Sequence, residues 1–183
     1  MQFHVGDRVV HPVHGVGIIK TFSKQLLSGE KAHEYYQVTT GTTTVWVPIN
    51  AEGFAGLRKI APKESLNACR RLLRGQPVLL DQNRQLRQLE IAKRLKGRLL
   101  PELCEMVRDL RARSRQKPLG ITEDNLLRKI SKALCDEWAA VDDVTNQTAL
   151  FEIESLLQES TLTDTSESAL SATPRTRALS SDR

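Results

Sequence analysis

"RVVHPVHGVGII", Arg8 to Ile19, decides how the first third of the chain folds. Two β-branched runs flank a segment punctuated by Pro12, Gly15 and Gly17, with His11 and His14 between them. Pro12 keeps the segment out of a helix, so the two imidazoles need not face one ligand. No carboxylate, cysteine or third histidine follows at ligand spacing, and His4 and His33 stand singly in strand-like surroundings. "GVG" is not a phosphate loop either, because no helix start and no Gly-Lys-Ser/Thr follow it. The segment reads as a tight strand connection in which Gly15 and Gly17 supply positive φ or close backbone approach.

Outward from this turn, residues 3–60 read as short strands: "FHVGDRVV", "VGIIKTFSKQLL", "HEYYQVTT", "TTVWVPI" and a weaker "GLRKI". Turn signals fall at Gly15 to Gly17, Ser28-Gly29-Glu30 and Thr40-Gly41-Thr42. That many short strands in so little chain predict a small SH3-like or Tudor-like β-barrel. A sheet of this size leaves edges that can pair with another chain.

After Pro62 the hydrophobic period changes from two to about 3.6. "PKESLNACRRLLRG" carries Leu66, Cys69, Leu72 and Leu73 on one face and stops at Gly75. "DQNRQLRQLEIAKRLKG" starts from a capping Asp81, presents Leu86, Leu89, Ala92 and Leu95 as its apolar face, and ends at Gly97. Leu103, Met106, Val107 and Leu110 form the stripe of a third helix, and Leu127, Ile130, Leu134, Trp138 and Val141 that of a fourth. A fifth carries Leu150, Ile153, Leu156 and Leu157. The fold class expected is α+β with segregated parts, the amino-terminal barrel (1–60) preceding a compact all-α helical domain (61–159). Residues 160–183, rich in Ser and Thr, are expected to form a disordered tail.

The overall charge of +5 is unevenly spread. Residues 61–118 hold 15 Lys+Arg against 6 Asp+Glu, whereas 141–183 hold 3 against 8. A basic segment of this kind suits a polyanion, or forms a solvated helix face. Cationic side chains three and seven apart can line one face of a helix while leucines line the other, which suits contact with a phosphate backbone rather than reading of base sequence.

No nucleophile elbow, carboxylate pair or Cys/His dyad is present, and neither a cofactor nor a metal is expected; the chain is read as a non-enzyme. The three cysteines, Cys69, Cys104 and Cys135, sit at helix-like apolar positions and are expected as buried free thiols in a reducing compartment. No apolar run of about 18 residues occurs, so a soluble, cytoplasmic protein without a membrane partner is expected.

With "FHVGDRVVHPVHGVGII", "VWVP", "GLR" at Gly56 to Arg58 and "VRDL" at Val107 to Leu110, residues 1–140 resemble the CarD-like transcription regulators of bacteria. The opening domain is also similar to the polymerase-interacting module of the transcription-repair coupling factor, whose helicase motifs this chain lacks. The resemblance implies that the amino-terminal domain adds an edge strand to the RNA polymerase β subunit. The matching strand is Thr43, Thr44, Val45, Trp46 and Val47, with a facing loop around Lys20 to Gln25. Family members often carry arginines where Gln25 and Trp46 stand here; Trp46 is read either as an aromatic anchor or as a core residue.

The resemblance further implies that the helical domain meets promoter DNA, where the family wedges a tryptophan into the minor groove. Counted back from "VRDL", that position falls on Arg84, after Asn83, and no tryptophan lies nearby. Asn83, Arg84, Arg87, Lys93 and Arg94 are the expected DNA-contacting set, while Trp138 is expected in the core. A monomer associated with the nucleoid through RNA polymerase is implied. The alternative is an SH3/KOW-type RNA-binding or ribosome-associated protein, whose strand-Gly-strand look "GDRVVHPVHGVGII" shares.

Overall fold

His11 explains why the first turn closes. Its Nδ1 accepts the backbone N–H groups of Val13 at 3.1 Å and His14 at 3.2 Å, so the ring caps the connection between β1 (Arg8–His11) and β2 (Gly15–Gln25). Gly15 sits at φ +75°, where a side chain would be strained. Gly17 answers a different need, because a Cβ there would come within 2.7 Å of Val38 Cγ1 and 2.6 Å of Thr40 Cγ2 on the neighbouring strand.

The computed structural model describes residues 3–25, 33–41, 43–49 and 56–170. The turn expected at Ser28-Gly29-Glu30 and the last residues of the tail, 171–183, lie outside them. β3 (His33–Thr40), β4 (Thr43–Pro48) and the short β5 (Arg58–Lys59) complete one antiparallel sheet in the order β4-β3-β2-β1-β5. The expected small β domain is thus a five-stranded sheet in which, among the described residues, β4 and β5 are the outer strands. A bulge between Ile19 and Thr21 leaves Lys20 without an opposite residue on β3. One face of the sheet buries Val9, Ile19, Tyr36, Val38 and Val47, with Phe3 packed edge-on against the Tyr36 ring.

Five helices follow: α1 (Ser65–Arg74), α2 (Arg84–Arg94), α3 (Leu100–Gln116), α4 (Ile121–Asp142) and α5 (Asn146–Leu170). The apolar stripes of α1, α3 and α4 meet in a single core, in which Leu66, Leu73, Met106, Leu110 and Leu134 are fully buried. Each such side chain removed from water contributes roughly 1.5–3 kcal/mol. Trp138 is buried as expected; its Nε1 donates to Glu152 at 3.0 Å, and the Arg70 guanidinium lies 5.6 Å from its ring centre. All three cysteines are free and buried. The shared hydrogen bond with Cys69 and the loss of solvent both push the Cys104 thiol well above the ordinary range.

Four expectations need correction. α2 begins at Asn83 rather than Asp81: the Asn83 side chain accepts the N–H of Gln85 and Leu86, while Asp81 accepts the N–H of Asn83. The helix stops at Arg94, before Gly97, and it buries Arg87 and Ile91 instead of the Leu86, Leu89, Ala92 face. α5 runs on to Leu170, so the boundary expected at 160 falls inside a helix.

Candidate docking edge and basic helix

β4 is the outer strand of the sheet beyond β3, with Trp46 opposite Gln37 and Val45 opposite Val38. Its side chains alternate: Val47 is buried and Val45 half-buried, whereas Thr43, Thr44 and Trp46 are exposed. Trp46 is 40% exposed, which excludes the core reading and leaves an indole standing on the outer face. The backbone alternates as well. Ile49 N–H donates to the Glu34 carbonyl at 2.9 Å, and in an antiparallel ladder every second residue then turns its polar groups inward. Val47, Val45 and Thr43 therefore face β3, and the N–H and C=O groups of Thr44 and Trp46 face outward, where no other strand among the described residues pairs with them. Pro48 closes the row, since it lacks an N–H.

Lys20 is exposed in the β2 bulge, and β3 separates it from β4. Gln25 ends β2 opposite His33, and its side chain lies outside the described residues. The edge strand and the Lys20 bulge thus belong to one sheet without being neighbours.

The five residues expected at DNA separate into two groups. Arg87 is 5% exposed; its Nε donates to Glu123 at 2.7 Å, and its Nη1 donates to the carbonyls of Asp81 at 2.6 Å and Gln82 at 2.9 Å. Arg94 is also turned inward, donating to Asp109 at 2.5 Å with Glu90 and Glu105 nearby. These two guanidiniums fasten α2 to α3 and α4 and present little to a ligand. Arg84 and Lys93 are exposed and make no ion pair among the described residues, and Asn83, also exposed, is engaged as the helix cap. Beside them Leu86 is 54% and Leu89 68% exposed.

Much of the remaining basic charge is likewise structural. Arg108 donates to Asp109 and to the Leu72 carbonyl, and Asp109, buried, also accepts the Val78 N–H and Arg94. "VRDL" is therefore a buried hub joining α1, α2 and α3. Arg111 pairs with Glu154, and Arg113 lies 3.8 Å from Glu123. The sequence could not show these carboxylates opposite, because Glu123 and Glu154 are distant along the chain.

Burial and then the adjacent His14 hold the His11 imidazole below the usual histidine value. Among the described residues, no three His, Cys, Asp or Glu side chains gather to hold a metal. No helix among them is long and apolar enough to cross a membrane.

Comparison with known proteins places both halves. Residues 3–61 match the model of the CarD-like/TRCF RID domain, and residues 69–154 match that of the CarD C-terminal domain. A Bacillus subtilis (strain 168) protein described as "Putative transcription factor YdeB" is 24% identical over 148 residues, spanning 80% of this chain and 96% of that protein.

Proposed function

The chain belongs to the CarD-like family, and on that premise we propose that it docks on the RNA polymerase β subunit through β4 and contacts promoter DNA through α2. The outer edge of β4, unpaired among the described residues, carries this reading. It offers the outward backbone groups of Thr44 and Trp46 in a row, with the exposed indole beside them as an anchor. Backbone pairing supplies attachment that does not depend on the arginines common elsewhere in the family.

DNA contact is assigned to Arg84 and Lys93. Arg84 lies in the first turn of α2, where the helix dipole adds to its own charge in favouring a phosphate. A guanidinium cannot replace an apolar wedge, but Leu86 and Leu89 provide exposed apolar surface on the same short helix. Tethering to polymerase raises the effective concentration of these weak contacts at the promoter. The protein then modulates open-complex stability without catalysing a reaction. It works as a monomer in the cytoplasm, at the nucleoid through polymerase, with no cofactor.

Pulldown from native lysate with the full chain tests the docking step. Recovery of RNA polymerase supports it, and recovery of ribosomes without polymerase overturns it in favour of the KOW-type alternative.

A further inference from the structure

The docking edge and the basic helix belong to different domains, so their cooperation depends on how the domains are joined. Arg58, on β5, donates Nη1 to Oε1 and Nη2 to Oε2 of Glu137, both at 2.6 Å. The Glu137 side chain is 1% exposed and lies on α4; its Oε1 also accepts the N–H of Ala61, where the chain leaves the sheet. Arg58 Nη2 donates further to the carbonyl of Arg98 at 2.7 Å. Arg98 itself sits at φ +48° in the α2–α3 connection, and its guanidinium donates to the Pro12 carbonyl of the first turn at 2.5 Å. On the other side Arg8 of β1 donates to the Ala140 carbonyl at 2.5 Å and pairs with Asp143 at 3.0 Å.

We infer that Arg58 and Glu137 are positioning residues that lock the sheet and the helical domain into one rigid body, fixing where α2 lies relative to the β4 edge. Three features make this a lock rather than an incidental ion pair. The pair is bidentate, which fixes direction as well as distance. Its carboxylate is buried and its guanidinium only 22% exposed, so salt and water weaken it less than a surface pair. It is flanked by Arg8 and Arg98, which cross the same boundary from β1 and from the connection after α2. The strained Arg98 backbone presents its carbonyl to Arg58 and its side chain to Pro12, tying the end of α2 to the turn capped by His11. A hinge at residues 60–64 would separate these contacts together. The role of the lock in transcription rests on the function proposed above; the lock itself does not.

The test uses the full chain with spin labels attached through Thr44→Cys and Gln88→Cys, exposed positions on β4 and α2. The inference expects a narrow distance distribution in the otherwise unaltered chain and a broad one in Arg58→Lys, which keeps the charge and loses the bidentate geometry. In the unlabelled chain carrying Arg58→Lys alone, polymerase pulldown should persist, while open-complex lifetime moves toward the value without protein by roughly threefold or more. A distribution that stays narrow in Arg58→Lys overturns the lock. A broadened distribution with unchanged lifetime overturns its role in positioning α2. If the wild-type chain has no effect on lifetime, the proposed function fails and the distances alone decide on the lock. Should Arg58→Lys fail to fold, Glu137→Gln keeps the side-chain shape and an oxygen for the Ala61 N–H while removing the charge-assisted fork, and the same broadening is expected; a distribution that stays narrow in Glu137→Gln overturns the lock.

Discussion

Arg87 on α2 and Glu123 on α4 form a salt bridge at 2.7 Å with both side chains only 6% exposed. The pair gives α2 its orientation, because the guanidinium also satisfies the Asp81 and Gln82 carbonyls just ahead of the helix. Removing one partner leaves a buried charge unpaired. Arg87→Ala is expected to destabilise the helical domain by about 3–5 kcal/mol, measured by denaturant unfolding. Arg84→Ala and Lys93→Ala should leave stability within about 0.5 kcal/mol while each lowers the salt dependence of DNA binding by roughly one ion. The reverse pattern, with Arg87→Ala stable and deficient only in DNA binding, would return Arg87 to the interface.

The inward and outward alternation of β4 separates two proline variants. Val45→Pro removes an N–H from the β3–β4 ladder and should unfold the edge of the sheet. Trp46→Pro removes an outward N–H together with the indole, and should abolish polymerase pulldown while the chain keeps its thermal midpoint to within a few degrees. Full recovery of polymerase with Trp46→Pro would show that docking uses another surface.

Leu86 and Leu89 contribute little to the core, so Leu86→Gln/Leu89→Gln should be close to neutral in stability. If their exposed surface enters distorted DNA, the double variant shortens the open-complex lifetime with little change in binding to undistorted duplex. Loss of duplex affinity and lifetime in equal proportion would assign them no wedge-like part.

His11 makes stability depend on acid. Burial, then His14, lowers its folded pKa below the ordinary 6.5, so below that pH the unfolded chain takes a proton that the folded chain refuses. Its contribution is complete above pH 6.5 and declines as pH falls from 6.5 toward the lowered folded value. His11→Asn keeps a side-chain oxygen for the Val13 and His14 N–H groups but does not titrate. Thermal melts between about pH 7 and 5 should show a smaller acid-induced drop for Asn than for His; identical drops would locate the sensitivity elsewhere.

The strands, the first turn and most helical stripes were legible because they depend on local period and turn chemistry. The turn reads directly from Gly15 and Gly17, and Val45, Trp46 and Val47 show the alternation of an edge strand. The α2 face was not legible. Leu86, Leu89 and Ala92 form a conventional apolar spacing, and only the distant carboxylates Glu123 and Asp109 turn the helix so that Arg87 and Arg94 point inward. The same limit hid Arg58: "GLR" marked a resemblance, but its partner Glu137 lies far along the chain. Basic charge concentrated in 61–118 thus overstated the surface available to DNA, because long-range ion pairing removes much of it.

The most direct measurement is the lifetime of the RNA polymerase–promoter open complex with no added protein, with the wild-type chain and with Trp46→Pro. The account predicts that the wild-type chain changes the lifetime and that Trp46→Pro returns it to the value without protein. An unchanged lifetime with the wild-type chain, or an equal effect from Trp46→Pro, would contradict it.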